Sequence, residues 1–246
     1  MNNLQETLLF PVRDADARKQ FLFACLIVLA GYVIPILPFL VVMGYSAKIM
    51  RQIIDEKKSP SMPEWQGSDW SEMFIDGARI YGAQLVLMLP LFLFMGCGFI
   101  SMFGGSMTMA ISADEGVDAL VPVGMLLFFI GTGFMMLLTL LSLPYGVILS
   151  AVGPHVVTKR SFAAAFEFKE WWSILRKGLG QFILGYVVIM VMSFIFAFVI
   201  QVALITIVLM CIIPLIMIPY SAYLMLITNT IYAQAYATGR DALQTA

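Results

Sequence analysis

Apolar residues in this chain gather into runs longer than a soluble fold needs, and polar residues gather into a few short segments between them. From Leu179 to Tyr232, fifty-four consecutive residues contain no Asp, Glu, Lys, Arg or His. A crossing takes about 20 apolar residues in a hydrocarbon core of about 30 Å, whereas one helix through the whole run would measure about 80 Å. The run therefore predicts two membrane helices joined by a fold-back, placed near Gln201. The same pattern predicts spans over 21–45, 80–103, 123–152, 179–200 and 204–232. The expected fold is an all-α polytopic transmembrane helix bundle of about five spans. Residues 1–20 are expected to be an interfacial head and residues 21–246 a single transmembrane domain. Pro35, Pro38, Pro90, Pro144, Pro214 and Pro219 each remove a backbone donor and predict bends, which bilayer helices tolerate where neighbours satisfy the freed carbonyls.

Composition agrees, at 61% hydrophobic and 12% charged residues. No polar segment is long enough for an independent core. Cys25, Cys97 and Cys211 each stand alone in an apolar run, as buried small hydrophobes do, and suggest neither a disulfide framework nor a metal site. The polar start before Arg13 and the lack of a small-residue cleavage site after the first apolar run predict no removable signal peptide.

Charge placement predicts orientation. The segments 46–79 and 153–178 hold ten of the fourteen Lys and Arg residues, and the acidic segment 104–122 holds none. Basic loops stay on the cytoplasmic side, so the first two segments are expected inside and the third outside. Five crossings then leave Arg13, Arg18 and Lys19 on the outer side, against the rule. The alternative is that the proline-broken first segment does not fully cross. Trp70 lies seven residues before Gly77, and Trp171 lies seven before Gly178, each pair at the entrance to a span. This spacing suggests an internal repeat of the kind some transporters contain.

Ionisable side chains inside spans are costly and usually functional, and the expected spans contain none. Gln84, Gln181, Gln201 and Asn229 are the candidate polar residues of a cavity, with interhelical hydrogen bonding as the simpler role. His155, the sole histidine, has only Glu167 and Glu170 near in sequence and no partners at metal-ligand spacing. Between Ser161 and Gly178 a helical wheel places Ala164, Phe168, Trp171, Trp172 and Leu175 on one face, which predicts an interfacial amphipathic helix. Lys159, Arg160, Lys169, Arg176 and Lys177 are the candidate contacts to anionic lipid headgroups. Trp65, Trp70, Trp171 and Trp172 are the candidate interfacial anchors.

Gly44-Tyr45 closing a span, Arg51 after it, Pro63-Glu64-Trp65 in the polar segment, Phe74 three before Gly77, and a head with Pro11 and Asp14 together resemble domain of unknown function family 4013. The resemblance covers about the first ninety residues, then reduces to a shared span pattern. Met62 stands where that family usually has Leu, and the interval from Trp65 to Trp70 is slightly long. The resemblance implies a prokaryotic, multi-spanning inner-membrane protein with no established activity, and it supplies no catalytic residue. The functional expectation is a non-catalytic accessory or scaffold subunit that needs no cofactor and no metal. Its expected partners are membrane lipids and other membrane protein subunits, not nucleic acid. The alternative is a transporter or lipid-handling protein built on the repeat.

Overall fold

In the computed structural model, residues 4–115, 118–204 and 212–245 are described, and among them no strand occurs. The helices are α1 (Leu4–Leu9), α2 (Ala15–Ala30), α3 (Leu37–Ile54), α4 (Trp70–Glu115), α5 (Val121–Leu149), α6 (Val152–Lys159), α7 (Phe168–Lys177), α8 (Leu179–Leu204) and α9 (Ile213–Gln244). The protein is all-α, and the described residues contain five helical stretches long and apolar enough to cross a membrane. Residues 1–84 with 147–246 form one compact unit and residues 85–146 a second.

Several boundaries differ from the expected ones. The segment 21–45, expected as one bent span, is two helices. Asp14 caps α2 by accepting the Ala17 amide at 2.7 Å, so the helix starts inside the expected head. It ends at Gly31, and helix resumes only at Leu37, after Ile36 at φ 73°. Pro35 explains the break, because it disfavours helix at Ile34 before it, and Pro38 stands in the first turn of α3, where its missing amide is tolerated. The acidic segment 104–122, expected as a loop, is helical as far as Glu115. The third span ends at Leu149 instead of 152, and α6 follows as a separate helix. Gln201 lies inside α8, which runs on to Leu204. The last span, expected from 204, does not start there, because Leu204 still belongs to α8; Cys211 falls in 205–211, outside the described residues.

Two glycine crossings organise the first unit. A Cβ on Gly44 would coincide with the Met73 carbonyl, and one on Gly77 with the Leu40 carbonyl. There α3 and α4 touch backbone to backbone, as small residues allow in membrane helices. A Cβ on Gly239 would collide with the Ile174 carbonyl, and one on Gly178 would sit 3.0 Å from the Ala235 carbonyl. On all four helical stretches, the two residues of the crossing are four apart. The two Trp–Gly pairs of the sequence thus enter equivalent crossings, Gly77 with α3 and Gly178 with α9.

The head packs on α9. Tyr223 donates its hydroxyl to the Leu8 carbonyl at 2.8 Å, and Gln234 Nε2 donates to Thr7 Oγ1 at 2.9 Å. Cys25 and Val28 of α2 share a buried cluster with Val42 of α3 and Ile218 and Ala222 of α9. Burial is uneven along the chain. In the most apolar stretch of α3, 61% of positions are buried, against 6% in α8.

The second unit is an antiparallel hairpin of α4 and α5. Gly105 faces the Phe128 amide, Gly131 faces the Met102 amide, and Ser101 donates to the Leu127 carbonyl at 3.0 Å. Glycines seven apart on each helix, Gly98 and Gly105 against Gly124 and Gly131, form this seam.

Candidate functional site

The residues that carry the family resemblance converge where α3 crosses the start of α4. The Tyr45 ring stacks on Trp65 with centroids 3.9 Å apart, and its hydroxyl donates to the Pro63 carbonyl at 2.6 Å. Trp65 Nε1 donates to the Gln20 carbonyl at 3.1 Å, which ties the loop to α2. Below the Gly44–Gly77 contact the charges pair across helices. Lys48 bonds Asp69, and Arg51 bonds Asp76 and, at 3.2 Å, Glu72. Arg79 reaches the other oxygen of Asp76 at 3.0 Å. Asp76 is 5% exposed, and two guanidinium groups pair its buried carboxylate.

A second cluster joins α6, α7 and α9. His155 is 1% exposed; its Nδ1 lies 2.8 Å from the Tyr236 hydroxyl and its Nε2 3.3 Å from Glu167. The tautomer that satisfies both contacts carries hydrogen on Nε2 and accepts from Tyr236 at Nδ1. Lys159 closes the cluster, 2.7 Å from Glu170 and 3.4 Å from Glu167. His155, Glu167 and Glu170 offer three ligand atoms within 4.8 Å of one another. The Lys159 ammonium bridges both carboxylates and offsets one of their two charges, so the arrangement reads as an ion-pair network around His155. Sequence reading considered the two glutamates but missed Tyr236, eighty-one residues away.

Tyr236→Phe is expected to destabilise the protein by about 1–3 kcal/mol, because it leaves His155 Nδ1 buried without a partner. Thermal unfolding in detergent measures this, and Tyr232→Phe on the same helix serves as a comparison. The bond from Lys159 holds the Glu170 carboxyl below its usual value of 4.5. A depressed carboxylate stabilises the fold above its unfolded pKa and loses that contribution as pH falls through the folded value. The melting temperature of Lys159→Gln is accordingly expected to fall less than that of the parent as pH drops below 4.5.

Residues 25–209 match the family described as Protein of unknown function (DUF4013). The chain belongs to this family. No curated protein and no solved structure matches it. The DUF4013 match takes in all of the first cluster but Gln20 and all of the second but Tyr236.

In this DUF4013 protein the helix predicted near 161–178 begins at Phe168, and Ala164 lies in the 3-10 turn before it. Trp171 is buried and donates to the Ala165 carbonyl at 3.1 Å, but Trp172 is 42% exposed and does not share its face. Lys169, Trp172 and Arg176 instead line one outer face of α7, with Lys177 beside them. Lys159 is engaged by the glutamates, and Arg160 lies 3.9 Å from Glu72. The five candidate headgroup contacts therefore divide into two engaged at the end of α6 and three free to face outward on α7. Of the other anchors, Trp65 is half-buried and Trp70 exposed, 6.0 Å apart between ring centroids.

The four candidate cavity residues are dispersed. Gln181 and Gln201 are twenty residues apart on α8, about 30 Å along a helix. Asn229 is buried and donates to the Met225 carbonyl of its own helix at 2.9 Å. Gln84 is half-buried beside Gly153.

Proposed function

We propose that this is a non-catalytic accessory subunit of the membrane, a scaffold that presents apolar helices to the helices of other membrane proteins. The supporting observation is the outward surface of its longest apolar runs. Only 6% of positions are buried in the most apolar stretches of the spans of α4 and α8, and 11% in that of α5. Lipid tails cover such faces without penalty, so exposure alone is neutral. Bilayer helices, however, associate through small residues, and Gly96, Gly104, Gly133 and Gly180 all face open space. The charged clusters fix the crossings of the first unit, and the four candidate cavity residues do not converge on one another. A photoreactive residue at Leu137 or Phe198 tests the proposal in native membranes. A discrete protein adduct at either position is the expected result, and adducts with lipid alone at both would contradict it.

The placement that goes with this reading is a multi-pass protein of a prokaryotic inner membrane, with 46–79 and 153–178 cytoplasmic and 104–122 outside. All fourteen Lys and Arg residues belong to the first unit. Arg240 pairs with Asp55, Lys57 with Asp241, and the head with Gln234. These contacts favour entry and return of α2 and α3 from the cytoplasmic face, with the turn at 31–36 inside the bilayer. Arg13, Arg18 and Lys19 then obey the positive-inside rule that five full crossings would violate. A second reading, contact with anionic lipid, is favoured by the outer face of α7.

A further inference from the structure

We infer that the wedge between α2 and α3 is a binding site for one acyl chain of an anionic phospholipid. The inference rests on the one-sided entry of these two helices proposed above, and it goes beyond the scaffold role. A cavity of about 360 Å³ opens there, walled by Phe23, Ile27 and Ala30 of α2, Leu37 and Val41 of α3, and Trp70. Its walls are apolar throughout. At one end the chain reverses through 31–36, where Tyr32, Val33, Ile34 and Ile36 are exposed, a surface suited to hydrocarbon and not to water. At the other end Phe23, Trp65 and Trp70 meet one another, with ring centroids 5.3 to 6.2 Å apart. Tryptophans take this position at the level of lipid headgroups.

Shape favours a slim occupant. The wedge lies between two helices joined by the short turn 31–36, and an acyl chain is slimmer and more flexible than a helix about 10–12 Å across. Charge selects the headgroup. Lys19 lies one turn before Phe23 on the same face of α2, whereas Lys48, two turns beyond Val41 on α3, is taken by Asp69. The partner of Lys19 is Asp16, at 3.2 Å, with both side chains largely in solvent. An exposed pair of this kind is worth little, which leaves the ammonium available to a phosphate diester.

The test uses the full chain in phosphatidylcholine nanodiscs doped with phosphatidylglycerol that carries a photoactivatable diazirine on its acyl chain. Adducts are mapped by peptide mass spectrometry. Yield on residues 20–31, 37–48 and Trp70 is expected to exceed that on the outward face of α8 at least fivefold. Ala30→Phe and, from the opposite wall, Val41→Phe are expected to lower the groove yield at least threefold and leave α8 labelling unchanged. Similar folded yield and unfolding temperature show that each variant is intact. Phosphatidylcholine carrying the same diazirine, or Lys19→Gln with phosphatidylglycerol, is expected to halve the groove yield. Equal labelling of groove and α8, or a yield that neither plug alters, overturns the site. Equal labelling by the two headgroups overturns its anionic selectivity. Failure of the one-sided entry is read separately, as reaction of Ile34→Cys with an impermeant maleimide added outside.

Discussion

Gly44→Leu and Gly77→Leu are each expected to destabilise the protein by at least the about 3 kcal/mol that marks the upper range of ordinary overpacking. At either position the added Cβ falls on a main-chain carbonyl, that of Met73 or of Leu40. No side chain can rotate away, so the helices must separate. Separation would also pull Arg51 from Asp76, because that pair joins the same two helices. The whole stability of a domain is about 5–15 kcal/mol, so loss of most of the folded protein follows. Gly96→Ala, on the same α4 helix but facing open space, is expected to be neutral or slightly stabilising. Detergent-solubilised yield and unfolding temperature distinguish the three variants, and equal behaviour of Gly77→Leu and Gly96→Ala would remove the crossing from the account.

Asp76→Ala is expected to cost about 3–5 kcal/mol, the usual penalty for removing one member of a buried ion pair. Arg51, with a side chain 13% exposed, keeps only Glu72, whose own side chain is 53% exposed. The penalty reflects the stranded guanidinium more than any large net gain from the pair. Replacing both partners, Arg51→Met with Asp76→Leu, should therefore recover most of the loss. A double variant as unstable as Asp76→Ala would show that the pair supplies net stabilisation beyond mutual compensation.

Fold class was legible because apolar runs above about 20 residues have few other uses. The break in the first span was only half legible. Pro35 and Pro38 announce a bend, but the reversal depends on α2 and α3 both packing on α9, which no local pattern encodes. The acidic segment 104–122, expected between two spans, is helical as far as Glu115. Gly105 is a packing surface against Phe128, and the Met and Ala residues after it favour helix. Of the site, the amphipathic character of α7 was visible, although Trp172 faces outward and Trp171 inward. The pairs Arg51–Asp76 and His155–Tyr236 are separated by 25 and 81 residues. Only tertiary contact reveals them, because a charged residue near a span end reads the same whether it faces water or a buried partner.

The account turns on all basic residues sharing one face of the membrane. Single cysteines at Asp16, Ser68, Ser173 and Asp118, placed in a cysteine-free chain and probed with an impermeant maleimide on intact cells, test this most directly. Labelling of Asp118→Cys alone before permeabilisation, and of the other three only afterwards, is the predicted result. Labelling of Asp16→Cys in intact cells would place the head outside and contradict the account.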